Sequence, residues 1–268
     1  MSYIQLTYGD LALPALLVLM NGVLSLVLHL RLERNLLIAT VRMCVQLVLV
    51  GYVLTILFAT VSPLWTTVAA VAMVLFASRE VAARQKRKLS GLWPYGLGAA
   101  CTLLAGGTIT IFALLTQLRP EPWYHPRYAL PLLGMILGNT MTGISLGLDV
   151  LTNGLVQNRA AVEARLALGS HRYTALLPVI RDSLRSGFMP TINAMAAMGL
   201  VALPGMMTGQ ILAGADPVDA VKYQLLIMFL ISGGTGLGTL AAVLAGAYRL
   251  TDDRHRLRLD RLGPETGG

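Results

Sequence analysis

The sequence predicts an all-α polytopic membrane protein with seven transmembrane helices, and three observations carry that expectation. Of its 268 residues 55% are hydrophobic and only 13% are charged, about half the charged share of a soluble domain. The apolar residues gather in blocks of about 20, the length that crosses the hydrocarbon core as a helix. Lys and Arg fall almost entirely in alternate connections between those blocks, the bias that orients spans in a bilayer.

The spans are read as Leu11–Leu30, Asn35–Ala59, Pro63–Ser78, Leu92–Leu118, Arg127–Leu151, Pro190–Ala213 and Lys222–Tyr248. The second and third form a helical hairpin turning at Thr60-Val61-Ser62-Pro63. No Lys or Arg precedes Arg31, so the first block lacks the basic region of a secretory signal and is read as a retained span. One set of connections holds Arg31 and Arg34; Arg79, Arg84, Lys86, Arg87 and Lys88; Arg159, Arg165, Arg172, Arg181 and Arg185; and Arg249, Arg254, Arg256, Arg258 and Arg261. The opposite set holds only Arg119, Arg127 and Lys222, while Arg42 lies inside the second span. This asymmetry puts the N-terminus outside and the C-terminus in the cytoplasm of a multi-pass inner-membrane protein. It also explains the net charge of +8 without nucleic acid as a partner. Residues 1–250 are read as one transmembrane domain and 251–268 as a cytoplasmic tail, a short solvated helix resting on anionic membrane lipid.

Leu151–Met189 is the one sizeable polar interruption of the second half, and the orientation places it in the cytoplasm. Arg159 to Leu168 contains no Pro or Gly, and Val162, Leu166 and Leu168 lie broadly on one side of a helix. Arg159 and Glu163 stand four apart, where opposite charges support a helix. Gly169 suits the left-handed residue that ends a helix, and Ser170 suits the cap of the next. Two short amphipathic helices joined at a glycine are expected, shaped to press against another protein.

Within the membrane, small residues recur at four-residue spacing: Gly134 and Gly138, Gly143 and Gly147, then Gly205, Gly209 and Ala213. The seventh span continues the pattern through Gly233, Gly234, Gly236 and Gly238 to Ala242 and Gly246. Such ridges let helix backbones approach closely in lipid, within one chain or between two. Pro131 and Pro204 free backbone carbonyls, and Pro204–Gln210 is the stretch most suited to a bent or partly unwound helix lining a pathway. Arg42, Gln46, Asn139, Asp149, Asn193 and Gln210 are costly in hydrocarbon unless they face protein or water. Arg42 either snorkels to the interface or pairs with a carboxylate, for which Asp149 is the candidate. Met206 and Met207 belong to a Met-rich sixth span, where thioethers serve as apolar filler or as soft metal ligands.

No paired-His pattern or CxxC spacing exists, so no metal site or cofactor is placed, and Cys44 and Cys101 read as buried apolar residues. No G-x-x-x-x-G-K-[ST] phosphate loop or carboxylate pair for acid–base work occurs. The chain is therefore expected not to be an enzyme, and any driven work draws on another chain or on an ion gradient.

Glu163-Ala164 followed by Gly169 resembles the E-A-A-x-x-x-G pattern of ABC-transporter permeases, whose coupling helices insert into a groove on the ATPase subunit. Arg165 stands where that pattern has a second Ala, and Leu177-Pro178 comes earlier than its usual Leu-Pro. Further matches are Asn21-Gly22, Arg42 with Gln46, Gly138-Asn139-Thr140-Met141, the run 162–169, Pro190-Thr191-Ile192-Asn193, and Leu-Pro-Gly-Met-Met-Thr-Gly-Gln-Ile-Leu at 203–212. Together they resemble the bacterial iron-export ABC permeases of the FetB type, related to plant aluminium-tolerance membrane proteins, over nearly the whole chain to about Leu250. The resemblance implies a permease, paired as two copies with a separate ATP-binding subunit and exporting iron or another metal ion. It makes Glu163, Ala164, Arg165, Leu168, Gly169, Ser170, Arg172 and Tyr173 the coupling residues; the six polar residues above, with Met206 and Met207, are the candidate pathway or intramembrane polar residues on their own chemistry. Two other readings stand beside it. A gradient-driven carrier or channel would work without an ATPase, and a scaffold would relay ATPase motion to an external partner.

Overall fold

In lipid every backbone N–H and C=O must be satisfied within the protein, and a lone span does this as a helix. The computed structural model is accordingly all-helical in its regular elements, with only isolated β-bridges besides among the described residues. It describes residues 7–85, 87–91, 93–252, 254 and 256–263; Lys86, the Leu92 boundary, His255 and the end of the tail lie outside them. Six helices are long and apolar enough to cross a membrane, beginning at Gly9, Glu33, Pro63, Trp93, Pro126 and Pro217.

The chain divides into two units. The first holds α1 (Ala12–Val27), α2 (Glu33–Thr60) and the short stretch Leu212–Gly214. Its two helices expose most of their apolar side chains. Ser25 closes their connection, its Oγ donating to Glu33 Oε2 and accepting from the Leu32 N–H, both at 3.0 Å.

The second unit is a bundle. α3 (Pro63–Arg84) starts with a proline at its first turn, where the missing N–H costs nothing. The next span runs through α4 (Trp93–Thr102), a π-helical turn at Leu103–Gly107, α5 (Thr108–Ala113) and a second π-helical turn at Leu114–Leu118. α6 (Pro126–Gln157) is followed by α7 (Arg159–Ala167), α8 (Arg172–Ala197), α9 (Gly205–Leu212) and α10 (Pro217–Arg249).

Two expectations are corrected here. Pro190–Ala213 is not a continuous span. Its first residues end α8, the chain unwinds over 198–204 around Gly199 at φ +86°, and α9 adds only two turns. Nor is α8 short: it rises straight from the polar segment, because Ala175, Val179, Ser183, Gly187 and Thr191 give it a continuous buried stripe. The tail is corrected too. It folds back on the loop before α4, with Ser90 N–H donating to the Arg261 carbonyl and Gly263 N–H to that of Lys88, each at 2.7 Å.

The core has a waist. One apolar cluster, including Ile144, Leu148, Leu151, Val162, Leu176 and Val243, fills the end near α7. Another, including Ala113, Leu132, Ile136, Ile227 and Ile231, fills the opposite end. Between them α6 and α10 run parallel and α8 antiparallel, nearly backbone to backbone. A β-carbon placed on Gly187 would lie 2.7 Å from the Gly143 carbonyl oxygen and 2.5 Å from Thr239 Cγ2. One on Gly143 would lie 2.7 Å from both Thr235 and Thr239, and one on Gly238 2.5 Å from Thr140. Gly138, Gly205 and Gly209, by contrast, meet nothing within 4 Å, so only part of the expected small-residue ridge is packed inside the bundle. The three threonines are fully buried, and their hydroxyls lack hydrogen-bond partners.

Two predictions follow from the waist. Gly187→Ala presses a methyl into a backbone carbonyl that cannot swing away, and is expected to destabilise the bundle by about 1–3 kcal/mol. Gly138→Ala should be neutral or slightly stabilising; thermal unfolding in detergent compares them. Thr235→Val replaces an unsatisfied hydroxyl by a methyl of similar size, and should raise the unfolding temperature through relief of about 1 kcal/mol.

Candidate functional site

The polar segment forms an elbow at one end of the bundle. α7 is held by its inner face: Val162 is buried against the α6–α8 core, Leu166 packs behind it, and Arg165 Nη1 donates to the Ala175 carbonyl at 3.3 Å. On the outer face Arg159 Nε meets Glu163 Oε1 at 2.8 Å, the expected pair four residues apart. Ala164, Ala167 and Leu168 share exposure with Glu163. Leu168 is 87% exposed and so does not join Val162 and Leu166 as the sequence pattern implied. Leu168 thus stands out on the exposed face, with Ala167 before it and Gly169 after it.

Gly169 turns the corner at φ +86°. Its N–H donates to the Leu166 carbonyl at 3.0 Å, and that of Ser170 to the Arg165 carbonyl at 3.1 Å. Those two bonds are the Schellman arrangement that satisfies the last carbonyls of a helix, and it requires a residue at ease in the left-handed region. His171, not Ser170, occupies the cap position of α8. The next residues stack: the His171 ring lies 5.8 Å from that of Tyr173, and the Arg172 guanidinium sits 5.5 Å from Tyr173 and 4.9 Å from Tyr248 of α10. Aromatic faces attract a guanidinium, so α8 is tied to α10 at the corner.

At the far end of the bundle a cavity of about 310 Å³ lies between the start of α6, α9 and the start of α10. Met135, Met206, Gln210, Arg127, Tyr128 and Tyr223 contribute to its wall. The Gln210 Oε1 is buried there without a hydrogen-bond partner. Of the eight candidate pathway residues, Met206 and Gln210 meet here and Met207 does not line the wall. Asp149 lies near the elbow, in a polar hollow with Asn153 and Asp182. Asn139 donates to the Met135 carbonyl of its own helix at 2.9 Å, and Asn193 is exposed on α8. Arg42 and Gln46 stand exposed on α2 of the first unit. Arg127, Tyr128, Met135 and Tyr223 were not singled out from the sequence, because interfacial Arg and Tyr carry no spacing signal. Among the described residues no group of three or more His, Cys, Asp or Glu could hold a metal ion.

Comparison with known proteins agrees with this architecture. The family model described as "Uncharacterised protein family (UPF0014)" matches residues 8–251. The chain is 39% identical to the UPF0014 membrane protein slr1647 of Synechocystis over 85% of its length and 86% of the relative. It is 31% identical to the "Probable iron export permease protein FetB" of Escherichia coli over 96% and 97%, and 33% identical to the UPF0014 membrane protein STAR2 of Oryza sativa over 88% and 83%. No solved structure matches it. With its family model spanning nearly every described residue, the chain belongs to the UPF0014 family of multi-pass membrane proteins.

Proposed function

We propose that the chain is the transmembrane permease subunit of an ABC transporter in the inner membrane, its six long apolar helices and the broken α8–α9 stretch making seven crossings with the elbow in the cytoplasm, exporting iron or another metal ion by alternating access. Two copies form the pathway, and a separate ATP-binding subunit grips each elbow. The likeness to FetB over almost the whole of both chains supports the transport class and the metal. The single observation that carries the mechanism is mechanical. Both helices flanking the elbow lead to the cavity walls: α6 is unbroken from Tyr128 and Met135 to Gln157, and α8 ends at the unwound turn before Met206 and Gln210. At 1.5 Å per residue these are levers of roughly 48 and 39 Å.

ATPase closure would push the α7 face at Glu163, Ala164 and Leu168, and the Schellman corner would pass that push to α8 without bending. The waist forces α6, α8 and α10 to move as one body, so displacement emerges at the cavity. The cavity's ligand atoms are thioethers, an amide oxygen and phenols, with the cationic Arg127 guanidinium in the same wall weakening its hold on a metal ion. They would hold a passing metal species weakly, which a translocation site needs, since the solute must also leave. A carrier driven by a gradient would make no use of so exposed an elbow.

Pull-down of the intact membrane protein should bring with it an ATP-binding subunit. In proteoliposomes with that subunit, Gly169→Trp should fold, because a side chain there meets open space, losing only about 1–2 kcal/mol to the left-handed backbone. It should nevertheless uncouple ATP hydrolysis from export. Wild-type coupling in that variant, or transport by the chain alone, would refute the scheme. Separately, Gln210→Leu is expected to keep its unfolding temperature and to lower metal export about tenfold, the scale of one lost hydrogen bond to the solute. Unchanged export with both Gln210→Leu and Met206→Leu would take the cavity off the path.

A further inference from the structure

The elbow end carries a second, unrelated recess. Beside the last turn of α10 a hollow of about 230 Å³ is lined by Trp93, Tyr248, Arg249, Thr251, Asp252 and Arg261. Arg249 lays its guanidinium over the Trp93 ring, 4.8 Å from its centre, and its Nε is buried with no hydrogen-bond partner. Arg261 Nη1 donates to the Arg249 carbonyl at 2.8 Å and to that of Thr251 at 3.4 Å, which fixes a second guanidinium beside the first. The hollow's one carboxylate offsets only one of its two guanidiniums and is itself engaged by other donors. Asp252 accepts the Arg256 and Arg254 N–H groups at 2.8 and 3.0 Å and faces Arg258 at 4.0 Å. Those contacts, the Arg256 N–H foremost, hold its carboxyl below the usual carboxylate range. The recess is therefore net cationic, with donors to spare.

Trp93 also heads a groove of about 530 Å³ on the outer surface of the bundle, in the seam between α4 and α10. Gly96, Ala100, Ala241 and Ala245 make it shallow-walled, and Leu104 closes its far end. From Trp93 to Leu104 the groove runs roughly 16 Å at helical rise, close to half of a hydrocarbon core about 30 Å thick. A slot one leaflet deep, apolar along its length and cationic at its mouth, has the shape of one lipid molecule. Basic pockets between spans are where phosphorylated head groups settle.

We propose that this recess and groove form a specific site for an anionic glycerophospholipid, its phosphate on Arg249 and Arg261 and one acyl chain along the α4–α10 seam. The site rests on no assumption about what the chain transports. A phosphate alone would leave the apolar groove beside the two guanidiniums empty, whereas a lipid engages both, and a helix of a second copy would bring no anion to them.

Native mass spectrometry of the full-length protein, exchanged into mixed phosphatidylglycerol and phosphatidylcholine, tests it. The wild type should retain phosphatidylglycerol in preference. Arg249→Gln should lower that preference about fivefold, the scale of one interfacial cation, and Arg249→Lys should lower it less. Ala245→Phe, which blocks the groove, should lower retention of both lipids. Equal retention by wild type and Arg249→Gln would overturn the proposal. Displacement of lipid by inorganic phosphate alone, with Ala245→Phe silent, would show a free-phosphate site instead and also overturn it. So would an Ala245→Phe variant that changes oligomeric mass but not lipid retention. Should Arg249→Gln unfold, the Lys and Phe variants decide the matter.

Discussion

The bundle depends on how closely α8 approaches α6. Gly143 and Gly187 face each other with no side chain between them, and the Gly143 carbonyl sits where any β-carbon of Gly187 would have to go. In lipid the hydrophobic effect gives helices no reason to associate, so close packing has to supply the attraction. That packing is available only at a separation small residues allow. With Thr140, Thr235 and Thr239 completing the waist, three helices become a single stiff body. The two apolar clusters at either end then have fixed positions relative to each other.

Under the proposed function a stiff waist is what would make the elbow useful. Force applied to a flexible bundle would be absorbed by rotamer changes close to where it was applied. Here Val162 seats α7 on the same cluster that grips α6, α8 and α10. The Arg172–Tyr248 stack adds a second tie at the corner. The give in the structure lies elsewhere: at the unwound turn 198–204, at Pro131 in the cavity wall, and in the π-helical turn that ends at Leu118. Pro131 and Leu118 line the cavity and the unwound turn precedes Met206, so under the proposed function this give would lie along the solute's path.

The elbow was legible because helix ends have chemical signatures. A polar run without Gly or Pro, an i,i+4 ion pair and a glycine at the terminus each correspond to a contact seen in the structure. The glycine ridges were half legible. Four-residue spacing finds every glycine with room for a neighbour, but it cannot say which ones have a neighbour within the chain. Gly143 and Gly238 do, while Gly138 and Gly209 do not. Gly187 was missed because it stands alone, two residues after Arg185. The signal that would have found it is the stripe Val179, Ser183, Gly187, Thr191, which is small and apolar at helical spacing through an otherwise charged segment. The break at 198–204 was hidden for the opposite reason. Its sequence, Met-Gly-Leu-Val-Ala-Leu-Pro, is as apolar as a helix, and hydropathy does not register backbone direction.

The charges of α8 explain why one helix can serve both ends. Arg181, Asp182 and Arg185 are exposed, on the side away from Val179, Ser183 and Gly187. At 26 residues α8 exceeds the hydrocarbon thickness by roughly 9 Å, so its first turns can stand in the head-group region while its last reach the membrane interior. A purely apolar helix would be drawn in to its ends and would carry no elbow. A uniformly charged one would be expelled and would carry no cavity wall. With charge on the outer side of its first half and glycines of α6 against Val179, Ser183 and Gly187 on the inner side, α8 in the proposed transporter would be held at one depth. Under the proposed mechanism, that depth would set how far a push at the elbow is felt at Gln210.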